Sequence, residues 1–157
     1  MFRFARPALL ADGIAQLRAV YPDRRIELTV HGSSVGTWDA ISVQRLLDNL
    51  VVNAVKYGSR DTPVRVVVRD EGQDVVVDVR NEGVPIEASM LESLFDPLRR
   101  GLDRDEPEVA RGSLGLGLYI AREIAKAHGG DIHARSGPYE TVFSVRLPRH
   151  ARDSGSG

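Results

Sequence analysis

Apolar residues first recur at helical spacing over residues 8–20, where Leu9, Leu10, Ile14, Leu17 and Val20 define a helix weakened slightly by Gly13. Pro22-Asp23 ends it, and Ile26–Val30 alternates as a strand. A turn-rich stretch, His31 to Thr37, follows. Asp39 is placed to N-cap a long helix over about 40–57, whose apolar residues include Ile41, Leu46, Leu47, Leu50, Val51, Ala54 and Val55, with Gly58 as its stop. Val64–Arg69 and Val75–Arg80 alternate strongly, and residues 70–74 between them read as a hairpin loop. Residues 81–86 read as a loop and 87–95 as a short helix. Residues 96–114 are rich in Pro, Gly and charge, and are expected to be mobile. Leu116, Ile120 and Ile124 mark a further helix ended by Gly129-Gly130, and residues 131–135 and 141–147 are the last strands. The order of elements predicts an antiparallel or mixed sheet with helices on one face.

The chain of 157 residues fits one domain, with 42% hydrophobic and 27% charged residues. Its formal net charge of -1 argues against a general nucleic-acid binder. Without cysteine it has neither disulfides nor Cys-based zinc sites. It shows no apolar run near membrane-spanning length and no signal-peptide pattern at its start, so a cytoplasmic location is expected, alone or as the cytoplasmic part of a membrane-bound parent, with no membrane contact by this domain. The polar stretch 151–157 is expected to be a flexible tail.

Four stretches carry candidate chemistry. On the long helix, Asn49, Asn53 and Lys56 stand at i, i+4 and i+7 and share one face. An amide oxygen can be one ligand of Mg²⁺, and a lysine can set a point charge against a phosphate. Taken alone, the trio is better explained as a solvated helix face. Gly112-Ser113-Leu114-Gly115-Leu116-Gly117 runs into a helix, where backbone N–H groups can approach an anion, although a flexible loop has the same composition. It is neither a Walker A loop, lacking Gly-Lys-Ser/Thr, nor a strand-borne Rossmann fingerprint. Asn81-Glu82-Gly83-Val84-Pro85-Ile86 follows a strand and can hold a flat heterocycle by its edge, or be an ordinary turn. Leu94-Phe95-Asp96-Pro97-Leu98-Arg99-Arg100 reads as an anchor for a moving segment, or as a core Phe beside surface charges.

In this order the four resemble the N, G1, F and G2 boxes of the catalytic and ATP-binding domain of a bacterial sensor histidine kinase, in the GHKL superfamily shared with gyrase, Hsp90 and MutL. The resemblance covers about residues 8–148. It implies an α+β fold, the Bergerat two-layer α/β sandwich with a mixed, mainly antiparallel sheet and helices on one face. Residues 1–150 are assigned to that domain. The resemblance also implies roles. Asn53 is the expected Mg²⁺ ligand, with Asn49 beside it near the phosphates of ATP. Lys56 meets a phosphate and Tyr57 packs near the adenosine. Asn81 takes the place of the adenine-reading acid, Gly83 lets the backbone approach the base, and Pro85 and Ile86 belong to the same turn. Phe95 hinges a lid. Arg100, with Arg99 as the alternative, reaches the phosphates. Gly112, Ser113, Leu114, Gly115, Leu116 and Gly117 form the loop that closes over them. The implied partners are the dimerisation helices of a parent kinase and a cognate response regulator.

Two departures from the family pattern stand out. The usual Asp-x-Gly-x-Gly is here Asn81-Glu82-Gly83-Val84-Pro85. Asn81 still accepts a hydrogen bond from an amino group, without charge assistance, at a cost on the order of 1 kcal/mol. Pro85 fixes φ and removes an N–H. None of His31, His128, His133 and His150 sits in a phosphoacceptor context, so the chain is expected to be a domain acting on a histidine elsewhere. His128 reads as a helix C-terminal residue favoured by the dipole. Two other functions compete. A non-catalytic nucleotide-binding or docking module draws only on Asn81 and Pro85. An ATP-hydrolysing switch needs a base for water where Asn49 stands, and an amide cannot take up that proton.

Overall fold

The computed structural model describes residues 3–5, 9–96 and 116–150. The expectations for Arg99, Arg100, Gly112, Ser113, Leu114 and Gly115, and for the tail 151–157, lie outside them, as does all of the Pro/Gly-rich stretch except Asp96.

Alternating valines build the centre of the molecule. Val64, Val66 and Val68 of β4 (Val64–Glu71) and Val75, Val77 and Val79 of β5 (Asp74–Glu82) are buried. The charged positions between them, Arg65, Arg69, Asp78 and Arg80, belong to the opposite face of the sheet. β4 and β5 pair antiparallel from Arg65↔Arg80 to Glu71↔Asp74. The hairpin is tighter than its sequence suggests. Residues 70, 71 and 74 join the strands, and only Gly72 and Gln73 form the turn, with Gly72 at φ 80 as a two-residue turn of this kind requires.

Two further strands complete one side. β7 (Glu140–Pro148) pairs antiparallel with β5, and β6 (Asp131–Ser136) pairs antiparallel with β7. On the other side β2 (Ile26–His31) pairs parallel with β4, Ile26 opposite Val64. The sheet order is therefore β2-β4-β5-β7-β6, mixed and mainly antiparallel. A parallel neighbour needs a crossover, and the long helix α2 (Ala40–Tyr57) supplies it. Its buried residues Val43, Leu46, Leu47, Leu50, Val51 and Ala54 lie in the same core as the valines of β4 and β5. α1 (Leu9–Val20), α3 (Ala88–Ser93) and α4 (Gly117–Ala127) add Leu10, Ile14, Leu91, Leu118 and Ala121 to that core. This is the expected two-layer arrangement.

A second, two-stranded sheet has no counterpart in the hydrophobic pattern. β1 (Arg3–Ala5) pairs with β3 (Thr37–Asp39). Trp38 of β3 is buried, and its indole N–H donates to the carbonyl of Pro148 at 2.8 Å.

The helix ends refine three expectations. Asp39 occupies the N-cap of α2, but its carboxylate makes no cap bond and instead accepts from the Ser42 hydroxyl at 2.5 Å. Gly58 ends α2 in an extended conformation, φ -80, so the chain leaves the helix directly towards β5 rather than through a left-handed residue. The end of α4 behaves as expected. Gly129 has φ 86, its N–H donates to Lys126, and the Gly130 N–H donates to Ala125, which is a Schellman closure. His128, the C-cap, is buried. Its Nδ1 lies 2.8 Å from the Ile124 carbonyl, and its Nε2 accepts from the Asp39 N–H at 3.3 Å. Held at both ring nitrogens, His128 is the helix C-terminal residue expected and also ties α4 to the start of α2.

Candidate functional site

The polar face of α2 is not solvated along its length. Asn53 is 1% exposed, and neither its Oδ1 nor its Nδ2 has a hydrogen-bond partner among the described residues. One turn earlier the Nδ2 of Asn49 is buried and likewise without a partner there. Lys56, one turn later, is exposed and lines a recess of about 390 Å³ with Tyr21, Arg24 and Arg60. Enclosed amide atoms are ordinarily bonded, so the open ones of Asn53 and Asn49 on one helix face point to groups that a ligand completes.

The end of β5 supplies the facing wall. Asn81 and Glu82, expected in a loop, are the last residues of the strand, and Asn81 pairs with Thr141 of β7. Strand geometry turns Asn81 to the same face as Val77 and Val79, which buries it at 4% exposure, its Oδ1 also unpartnered among the described residues. Thr141, also buried, hydrogen-bonds Ser136 at 2.8 Å, and Ser136 Oγ accepts the Ile86 N–H at 2.9 Å. Ile86 is thereby tied to β6, while Pro85 beside it is exposed. The sequence alone does not single out Thr141 or Ser136. Their signal is a register that appears only once β7 is seen beside β5.

Glycines bring the two walls together. A Cβ on Gly83 would lie 2.8 Å from the Tyr57 carbonyl oxygen, so only glycine lets this turn reach the end of α2 without displacement. A Cβ on Gly58 would stand 3.0 Å from Cβ of Asn81. The Ser59 N–H donates to the Glu82 carbonyl at 2.6 Å, extending the contact by one backbone bond. Gly117, the first residue of α4, is packed against Asn49, its absent Cβ position 3.4 Å from Oδ1. The structure thus joins Asn49 to the start of α4, and Tyr57 and Gly58 to Asn81 and Gly83. Leu116, just before α4, is half-exposed.

Phe95 stands in another environment. It is buried, meets Phe143 edge-on with ring centroids 6.1 Å apart, and carries the Arg122 guanidinium 4.1 Å above its ring. Arg122, which the sequence does not mark, also bonds Asp131 and the Ile132 carbonyl. Burial, the largest influence on Asp131, raises its pKa, but the Ile132 N–H and Arg122 outweigh it and hold the carboxyl below its ordinary value.

Among the described residues no cluster of three His, Cys, Asp or Glu side chains could hold a metal by itself. The donor set fits a hard divalent cation that brings most of its own oxygen ligands, with one amide oxygen from Asn53. No described helix is long and apolar enough to cross a membrane.

Comparison with known proteins gives a concordant picture. The model of the family described as histidine kinase-, DNA gyrase B-, and HSP90-like ATPase matches residues 38–151. The sensor protein VanSC of Enterococcus gallinarum is 35% identical over 127 residues, 81% of this chain and 34% of the relative. The sensor protein CzcS of Cupriavidus metallidurans is 34% identical over 135 residues, 85% of this chain and 28% of the relative. The chain therefore spans about a third or less of the length of these relatives. The solved catalytic domain of the histidine kinase ThkA superposes with a TM-score of 0.77 at 22% identity, covering 96% of this chain and 98% of that one, a likeness of fold.

Proposed function

Because the chain belongs to the family of histidine kinase-, DNA gyrase B- and HSP90-like ATPases, we propose that it binds ATP with Mg²⁺ and presents the γ-phosphate to a histidine on the dimerisation helices of a parent sensor kinase. A cognate response regulator is then the next acceptor. The observation that carries this reading is the set of enclosed amide atoms without partners among the described residues, Nδ2 of Asn49, both ends of Asn53 and Oδ1 of Asn81, on two walls that glycines hold in contact. In it Asn81 Oδ1 accepts from the adenine amino group, and Tyr57 and Gly83 flank the nucleoside. Lys56 offers a point charge to the phosphates. Asn53 Oδ1 is the protein ligand to Mg²⁺, which supplies charge neutralisation at the phosphates. Positioning and neutralisation are what phosphoryl transfer chiefly requires. The amide of Asn49 takes up no proton, so the site holds ATP without a side chain at that position to activate water.

Calorimetric titration with ATP, with and without Mg²⁺, tests the binding, and γ-labelled ATP with a fragment bearing the parent's dimerisation helices tests the transfer. Mg²⁺-dependent binding, no label on this chain alone and label on the fragment are expected. Absence of ATP binding, stable self-labelling or rapid phosphate release without the fragment would overturn the proposal.

A further inference from the structure

We infer that Arg24 is a positioning residue that sets the distance between the two walls of the site and so sharpens selection of the base. This rests on the ATP-binding reading above. Arg24 precedes β2, a strand separated from β5 by β4. Its backbone is fixed by the turn bond from its N–H to the Tyr21 carbonyl, and the next residue's carbonyl accepts the Val64 N–H at 2.8 Å. From that anchored start the guanidinium forks. One nitrogen donates to the Val55 carbonyl at 3.0 Å, and the other to the Ser59 carbonyl at 3.1 Å.

Those two acceptors bracket the stretch Tyr57–Gly58 that carries the contact between the walls. Val55 lies in the last turn of α2, where carbonyls lack helical partners, and a cation there is favoured by the helix dipole. Ser59 lies just beyond the helix, and its N–H is committed to Glu82. Arg24 therefore holds both ends of a short bridge whose middle touches Asn81 and Gly83. A planar two-pronged donor fixes the separation of two carbonyls, whereas a lysine offers the same charge as a single point. With the bridge loose, Asn81 Oδ1 no longer meets an adenine edge at fixed reach. Discrimination between bases suffers before general affinity for phosphates does. Adenine offers an amino group to that oxygen, and guanine a carbonyl, so an Asn81 amide held with Oδ1 towards the base, and not flipped to present Nδ2, leaves guanine with two facing acceptors.

The test compares Arg24→Lys, Arg24→Met and, as a control, Arg25→Met, whose parent side chain is 72% exposed and pairs at the surface with Glu27. ATP and GTP affinities are measured by calorimetry with Mg²⁺, and melting temperature by circular dichroism. Arg24→Lys is expected to keep the melting temperature near wild type yet reduce the ATP-to-GTP affinity ratio about tenfold, the scale of one lost hydrogen bond to a charged donor. Arg24→Met lowers the ratio equally and the melting temperature as well, and Arg25→Met changes neither. A ratio within twofold of wild type in Arg24→Lys overturns the inference, as does a proportional loss of ATP and GTP affinity in both Arg24 variants. Wild-type protein that binds no ATP removes the functional reading itself. Wild-type protein that binds ATP and GTP equally leaves that reading standing and removes this inference alone.

Discussion

Asn53 is a side chain costly to the empty fold and, in the proposed reading, useful to the filled one. Both ends of its amide are enclosed without partners among the described residues, and an unmet buried polar group costs about 1–3 kcal/mol. Replacement by alanine removes that cost together with the proposed metal ligand. Asn53→Ala is therefore expected to abolish the Mg²⁺-dependent part of ATP affinity, while the melting temperature of the ligand-free protein does not fall. A titration and a thermal melt on the same sample check both. A large loss of stability would show that Asn53 is bonded within the fold, and unchanged affinity would remove it from the site. The sequence marks this residue through spacing, since Asn49, Asn53 and Lys56 share a helical face in any α-helix, and through the resemblance of that stretch to the N box. Its burial is not legible there, because burial depends on what packs over that face.

At the scale of elements, the proposed site turns on the junction between the end of α2 and the end of β5. At Gly83 the two come too close for a side chain. A methyl group there meets a backbone oxygen, which cannot rotate away as a flexible side chain does. Gly83→Ala is expected to push the turn off α2 and weaken ATP binding at least tenfold, with a stability loss of about 1–3 kcal/mol typical of an overpacked contact. Isothermal titration and chemical denaturation measure the two. Wild-type affinity in that variant would show that the walls need not touch. The helices and the long strands are readable in the sequence because their periods are strong: β4 and β5 alternate valine with charge, and α4 ends on two glycines. Asn81 reads as loop because Asn and Gly signal turns locally, whereas pairing with Thr141 extends the strand over it. The pair β1 and β3 leaves no mark for a related reason. Each is only three residues long, too short for alternation to register.

Across the whole molecule, Arg149 gathers distant loops. It bonds Asp70 and the carbonyls of Ser33, Val35 and Gly72, and its own carbonyl accepts the Thr37 N–H. Asp70 accepts from the Gly72 and Ser33 N–H groups, and these bonds, with Arg149, hold its pKa below the ordinary 3.8. The sign follows directly. A carboxylate depressed in the folded state adds stability above its unfolded pKa, and that contribution is lost as pH falls through the folded value. Asp70→Asn is expected to melt below wild type at pH 7, with the difference closing as the pH drops beneath 3.8. Melts across that range decide it, and a constant difference at all pH values would show that charge on Asp70 contributes nothing. This tie is not legible from the chain. Arg149 and Ser33 are 116 residues apart, and nothing local marks them as partners.

The sheet order has a consequence for how the chain is made. β7 sits between β5 and β6, yet it follows every other strand in the chain. A ribosome that has released β5 must add all the rest of the chain through Pro148 before that neighbour is complete, a matter of several seconds at about 5–20 residues per second. Through that interval one edge of a valine-rich strand has no native neighbour to pair with. An open apolar edge is what promotes pairing between chains, and charged side chains along a strand are what discourage it. Asp78 and Arg80, beside the valines of β5, are charges of the kind that discourages such pairing, and in the folded sheet they bond Ser144 and Glu140 of β7.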